Sequence, residues 1–364
     1  MVKEKMRTKY TAIYILLVIF TTSCIREEAP NAEADIVSCT LPGVTLLTKP
    51  IISNDAVTIL VPPGTATDQL APEFTLTAGA TINPPSGTVR NFGMPQTYTV
   101  TSSDGEWQKK YTVSVIDTEL KTTYQFEDTL GGYDYYVFVE REAGKVVMQW
   151  ASGNAGYSLT GVPKNANDYP TLQASDGKEG KCLKLVTRST GTFGIAFGMP
   201  IAAGNLFIGH FDALSALKDP LKATQFGLPF YYVPTYITGF YKYSSGGNYT
   251  EKGKPVEGKK DICDIYAIFY ETNGSVLDGT NAFTSPNLIS VARIDNAKET
   301  DEWTHFNIPF IARPGKVIDK EKLMSGKYNI SLVFSSSIDG DRFNGAVGST
   351  LLIDEVNLLY NSDN

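Results

Sequence analysis

The chain has only two histidines, His210 and His305, among 364 residues. A zinc site built on several imidazoles is therefore excluded, and a Ser/His/Asp triad has few ways to form. Cysteine is scarce as well, and Cys24, Cys39, Cys182 and Cys263 show no metal-ligand spacing. Cys182 and Cys263 lie inside apolar, strand-like runs and read as small buried hydrophobes. Positive charge is in deficit: 32 Lys and Arg stand against 39 Asp and Glu, a formal net charge of −7. Such a surface does not suit nucleic acid, whose binders are basic. Past Phe20 no apolar run approaches the roughly 20 residues that span a bilayer. The glycine-rich stretches do not sit between a strand and a helix, so a phosphate-cradling loop is disfavoured. No motif requires a cofactor.

The first 23 residues have the parts of a secretory signal. Lys3, Lys5, Arg7 and Lys9 make a basic start, and Tyr10 to Phe20 is apolar except for Thr11. That length fits the core of a signal peptide and is too short for a membrane span. Thr21-Thr22-Ser23 then leads into Cys24, the shape of a lipobox in which the Cys is lipidated and becomes the mature N-terminus. Burial of acyl chains contributes about 0.8 kcal/mol per methylene, so several chains on one Cys hold firmly. Residues 24–34 read as a polar tether. Its start, Ile25-Arg26-Glu27-Glu28, resembles the signal that sends lipoproteins of glycan-degrading gut bacteria to the outer face of the outer membrane. A solvated linker would carry the same residues. The expectation is an outer-membrane, lipid-anchored protein exposed at the cell surface.

Residues 35–118 form short alternating runs broken by turn residues. Gln96 to Ser102 and Lys110 to Ile116 flank Ser103-Asp104-Gly105, a strong hairpin signal. Tyr98, Val100 and Thr112, Ser114 alternate as half-buried strands require. Closely spaced short strands indicate an immunoglobulin-like sandwich. The series Pro-Ser-Gly-Thr, Tyr-Thr-Val, Asp-Gly, Tyr-Thr-Val resembles the Ig-like modules that follow the anchor of such surface lipoproteins. Its expected role is a spacer or docking platform. Trp107 beside the hairpin reads as packing.

Residues 119–364 carry longer strands and more aromatics. Candidate strands are Val137 to Glu140, Lys145 to Ala151, Lys181 to Thr187, Phe193 to Phe197, Tyr236 to Tyr243, Ile262 to Glu271, Thr304 to Pro309, Tyr328 to Ser335 and Thr350 to Tyr360. Only Phe211 to Leu217 has a helical pattern. This argues for an all-β chain: an N-terminal Ig-like β-sandwich followed by a larger jelly-roll β-sandwich. The segments Tyr124-Gln125-Phe126-Glu127, Trp150 to Gly156, Ala203 to Gly209, Gly239 to Tyr243, Ser335 to Asp341 and Gly345 to Val356 resemble the putative carbohydrate metabolism domain found in surface lipoproteins of glycan-using bacteria. The resemblance implies a jelly roll similar to carbohydrate-binding modules. It carries no catalytic residues over to this chain.

Three groups are candidates for chemistry. In many carbohydrate-binding jelly rolls a late-strand Asp and an early Phe-Glu pair hold structural Ca²⁺, and Glu127 and Asp354 stand in matching places. Alternation places Leu352, Asp354, Val356 and Leu358 on one face. Capping of backbone amides by the same carboxylates is the alternative, since calcium wants six to eight oxygens. The second group is the loop Asp339-Gly340-Asp341-Arg342. Its acids are weak candidates for glycoside hydrolysis, its polar groups for hydrogen bonds to sugar hydroxyls, and a plain Asx turn accounts for them equally. The third is aromatic density. Tyr236, Tyr241 and Tyr243, then Trp303 with His305, then Trp150 with Asn154, offer rings and polar groups for sugar stacking, with Arg342 as a further contact. Sandwich cores also use aromatics freely.

The expected function is glycan capture at the cell surface, with protein partners of a glycan-uptake system. A glycoside hydrolase, or an adhesive surface protein, is the alternative.

Overall fold

Strand Gln96–Thr101 buries Tyr98 and Val100 and leaves Thr97 nearer the surface, as a period of two demands. The computed structural model describes residues 32–274 and 276–361. The leader and Cys24 lie outside them. Near the N-terminus, Ile51–Ile52, Ala56–Val61, Gln108–Asp117, Gln96–Thr101 and Thr81–Asn83 form one sheet in that order, with Ala56–Val61 and Gln108–Asp117 parallel. Ile36–Thr40 and Glu73–Leu76 pair across from it. Val57, Ile59, Tyr98, Val100 and Val113 fill the space between. Tyr111 is buried, while Trp107 is exposed rather than packed.

The larger unit is a two-layer sandwich. Its back sheet runs Thr171–Ala174, Cys182–Val186, Thr350–Asn361, Val233–Ser244, Thr300–Pro309. Its front sheet runs Asn205–Phe207, Tyr328–Ser335, Asp264–Glu271, Leu288–Arg293, Ile311–Ala312. Ile265, Ala267, Phe269, Ile330, Leu332 and Phe334 meet Tyr241, Tyr243, Ile353 and Leu358 between the layers. Burying a side chain such as Phe269 contributes roughly 1.5–3 kcal/mol. The chain is thus all-β, an Ig-like sandwich followed by a jelly-roll-type sandwich. Cys39, Cys182 and Cys263 are free and buried.

The front sheet is covered on its outer side too, so Asp264–Glu271 is buried on both faces. A second apolar layer, with Phe207, Phe226, Tyr266, Ile268 and Leu288, packs there. Short helices Asn154–Ser158, Gly191–Ala196, Ala213–Ala216 and Pro220–Ala223 form part of the cover. Two expectations are corrected here. Phe193 to Phe197 is not a strand but belongs to the helix Gly191–Ala196 and its cap. Within Phe211 to Leu217 only Ala213–Ala216 is helical, and Phe211 ends a strand.

The terminal strand also departs from simple alternation. Glu355 has φ 51° and the register against Val233–Ser244 slips at that point. One extra residue reverses the phase. Leu351 and Ile353 face the core before the bulge, Val356 and Leu358 after it, and Leu352 points away. Asp354 therefore does not share the core face with Val356.

Leu47, Ile51 and Leu60 of the first unit cluster with Leu130 and Val146 of the second. Lys49 Nζ lies 2.8 Å from His210 Nε2 across the same junction.

Candidate functional site

A cavity of about 480 Å³ opens on the outer side of the front sheet. That lies within the roughly 300–1,000 Å³ of small-ligand sites. Its floor is Phe207, Phe226, Tyr266 and Val333; its walls come from the connections around residues 153–160, 190–199, 211–224, 279–283 and 338–343.

Asp264 and Arg293 mark the polar end. Strand register sets Tyr266 opposite Arg293, and Asp264, two residues before Tyr266, projects to the same face. The guanidinium grips both oxygens: Nε–Oδ1 is 3.0 Å and Nη2–Oδ2 2.7 Å. Bidentate pairs of this kind are strong and oriented. Arg293 also lies over the Phe283 ring at 4.6 Å. Burial pushes the Asp264 carboxyl above its usual range; Arg293 pulls it back and Asp341 adds a smaller upward push. Tyr266 is raised by burial first and by Asp264 next.

The segment 335–349 brings the second set of groups. Asp261, buried, fastens it. Its Oδ2 accepts from Ser337 Oγ at 2.5 Å, Ser349 Oγ at 2.7 Å and Ala346 N at 2.8 Å. Thr187 joins Ser336 and Ser337 to the same network. Gly340 packs so closely that a Cβ would sit 2.4 Å from Ala203 Cβ. The turn Gly340–Arg342 follows, and Phe343 closes it in the left-handed region at φ 58°. A large residue there is strained, and such strain is held by surrounding contacts. Asp341 and Arg342 open toward the cavity. Burial in the cleft raises the Asp341 carboxyl above its usual range; Arg342 lowers it and Asp339 raises it again. Asp339 also borders the cavity, but its Oδ2 accepts from Tyr249 Oη at 2.7 Å and Lys259 Nζ at 3.5 Å.

Several residues expected to touch sugar do not reach solvent. Trp150 is 2% exposed and its indole N–H donates to Glu140 Oε1 at 3.0 Å. Asn154 is fully buried, exchanging both amide hydrogen bonds with the Thr171 backbone. Tyr241 and Tyr243 point into the sandwich and pack there. These four are corrected to structural residues, because the inward phase of their strands and loops is the buried one. Tyr236, Trp303 and His305 are open, but on the outer face of the back sheet, away from the cleft. There Lys242 Nζ caps Trp303 at 5.1 Å, and His305 meets Phe240 edge-on at 5.1 Å.

Glu127 and Asp354 are engaged as caps of backbone amides. Asp354 Oδ2 accepts from Lys178 N at 2.7 Å and Glu179 N at 3.1 Å, and Oδ1 from Glu355 N at 2.8 Å. Glu127 Oε1 accepts from Lys181 N at 2.8 Å. These contacts are the amide-capping alternative to a cation site. Among the described residues no three His, Cys, Asp or Glu side chains gather as a metal group. Nor is any described helix long and apolar enough to cross a membrane.

Asp264, Tyr266, Arg293 and Asp261 carry no local sequence motif. An acid heading an apolar run, as Asp264 does, was the one available signal.

The second β-sandwich thus holds a cleft of acids, guanidiniums and aromatic rings. The chain belongs to the family of the putative carbohydrate metabolism domain, whose model matches residues 125–359. Residues 36–115 match the SGBP N-terminal domain, an Ig-like module of surface glycan-binding proteins. The chain is similar to a crystal structure of a putative glycoside hydrolase from Bacteroides thetaiotaomicron: 69% identity, 93% of this chain and 100% of that one, TM-score 0.84. It is also similar to one from Bacteroides vulgatus: 45% identity, 66% of this chain and 98% of that one, TM-score 0.63. No curated protein matches it.

Proposed function

We propose that this protein is a lipoprotein, anchored through Cys24 at the outer membrane and exposed on the cell surface, whose front-sheet cleft captures a glycan. The observation that carries this reading is the cleft itself. It sets the Asp264–Arg293 pair, Asp341 and Arg342 beside aromatic rings. Sugar hydroxyls need such donors and acceptors, and sugar C–H faces pack on rings. The Ig-like unit would hold the cleft off the membrane and present it to protein partners of a glycan-uptake system.

Glycoside hydrolysis is the second reading. The names of the two similar crystal structures and the raised Asp341 carboxyl favour it. It requires two working carboxyls, about 5–5.5 or 6.5–9.5 Å apart. Asp264 is gripped by Arg293 through both oxygens and Asp339 is tied to Tyr249. Asp341 is then the one cleft acid without such a tether among the described residues. Capture therefore fits better than cleavage.

A glycan array tests both readings. Binding by the wild type should fall at least tenfold in Asp341→Ala and Arg342→Ala and persist in Trp303→Ala. Loss in Trp303→Ala alone would move the site to the back sheet. Reducing-sugar release by the wild type, absent in Asp341→Ala, would make the protein an enzyme.

A further inference from the structure

The cleft is lined by two chemically different sets of groups. One is charged: Asp264, Arg293, Asp341 and Arg342. The other is aliphatic and aromatic: Leu159, Phe193, Phe197, Met199, Leu217 and Leu221. Four of these stay open at the mouth, from 39% for Phe193 to 53% for Phe197. Ile195 is exposed beside them, and Val162 lies against the start of their helix, its Cγ2 2.9 Å from where a Gly191 Cβ would stand. Clustered exposure of this kind marks a binding surface.

This apolar set does not match a hydroxylated sugar ring. The polar groups around it donate to the protein's own carbonyls: Tyr157 Oη to Ser189 O, Thr160 Oγ1 to Tyr157 O, Thr190 Oγ1 to Met199 O, Asn205 Nδ2 to Ala203 O. Sugar oxygens placed against this set would find few donors not already engaged, and the rings and leucines offer them none. Phe193 and Phe197 are also tilted by 42° at 4.8 Å, a wedge rather than a flat platform. A wedge of rings with leucines behind it fits an acyl chain or an aryl group.

Resting on the capture reading above, we infer that the cleft takes a glycan end bearing an apolar substituent, an acyl or aryl group. The sugar lies against Asp264–Arg293, Asp341 and Arg342. The substituent lies between Phe193, Phe197 and Leu217. Complementarity to both sets of lining groups selects this occupant over a bare polysaccharide strand, which leaves the apolar set wet, and over a purely apolar molecule, which offers Asp341 and Arg342 no hydrogen bonds.

Calorimetry with octyl β-glycosides of common hexoses, each below its micelle concentration, tests this against the matching methyl glycosides and an octyl oligo(ethylene glycol). The expected result is that at least one octyl glycoside binds tenfold or more tighter than its methyl partner. Phe193→Ala/Phe197→Ala, both exposed positions, should remove that gain and keep the methyl glycoside affinity. Equal affinity of octyl and methyl glycosides overturns the inference and leaves glycan capture standing. So does an octyl gain that survives the double variant. Equal binding of octyl glycoside and octyl oligo(ethylene glycol) overturns it together with sugar recognition in the cleft. Absence of binding by every probe overturns it as well, and a positive glycan array would then still uphold capture.

Discussion

Arg293 holds Asp264 by two parallel hydrogen bonds, 29 residues apart in sequence and adjacent only through strand register. The Asp264 side chain is almost closed to solvent. Removing Arg293 would strand a charge in an apolar layer.

Arg293→Met should therefore destabilise the fold by about 3 kcal/mol, the low end for a broken buried pair, because Arg293 is itself partly open. Denaturant unfolding of wild type and variant measures it. A loss below about 1 kcal/mol would mean that the pair is solvated and does not organise the cleft. Asp264→Leu/Arg293→Met should recover most of the loss.

Stability should fall as pH rises past the acid range, because of Glu140. Burial pushes its carboxyl up to about 7 from 4.5, while the Trp150 indole and Lys121 pull it down. Between those values the folded chain keeps a proton that the unfolded chain has released. Unfolding is then easier at each step upward in pH, until the effect levels off above about 7. The full span is on the order of 3 kcal/mol. Glu140→Gln keeps an acceptor for Trp150 and should flatten this part of the profile, being the more stable form at pH about 8. Parallel wild-type and variant profiles would show that Glu140 ionises normally.

Chelation should leave the protein unchanged. Because N–H groups occupy the Asp354 and Glu127 oxygens, EDTA should not move the melting temperature. Asp354→Ala should lower stability by about 1–3 kcal/mol, since it leaves the amides of Lys178 and Glu179 without their acceptor. A melting temperature that drops with EDTA and returns with Ca²⁺ would refute this account.

Much of the sandwich was legible because period-two runs such as Gln96 to Ser102 and Tyr328 to Ser335 lie between clear turns. What alternation could not say was which face is buried. Tyr241 and Tyr243 alternate with Phe240 and Lys242, and both sets carry an aromatic ring; only packing against the front sheet decides between them. Phe193, Ile195 and Phe197 alternate like a strand, yet Gly191 at φ 64° and Gly198 at φ 74° turn the chain at either end of a helix. The loop with Asp341 and Arg342 could be picked out as polar and glycine-rich. Its partners could not, since Asp264 and Arg293 meet through a register that no local pattern encodes. The Glu355 bulge, one residue in the left-handed region, was enough to turn Asp354 from an apparent core residue into a cap for the 178–181 segment.

The floor of the cleft is sheet, and nearly all of its wall is connection. The aliphatic side chains hang on connections rather than on the sheets, and connections accept change more readily than strands do. A lineage could change the decoration it accepts by editing a few loops and leave Asp264 and Arg293 where they are. The same frame would then serve a repertoire of surface receptors, each fitted to a differently dressed sugar.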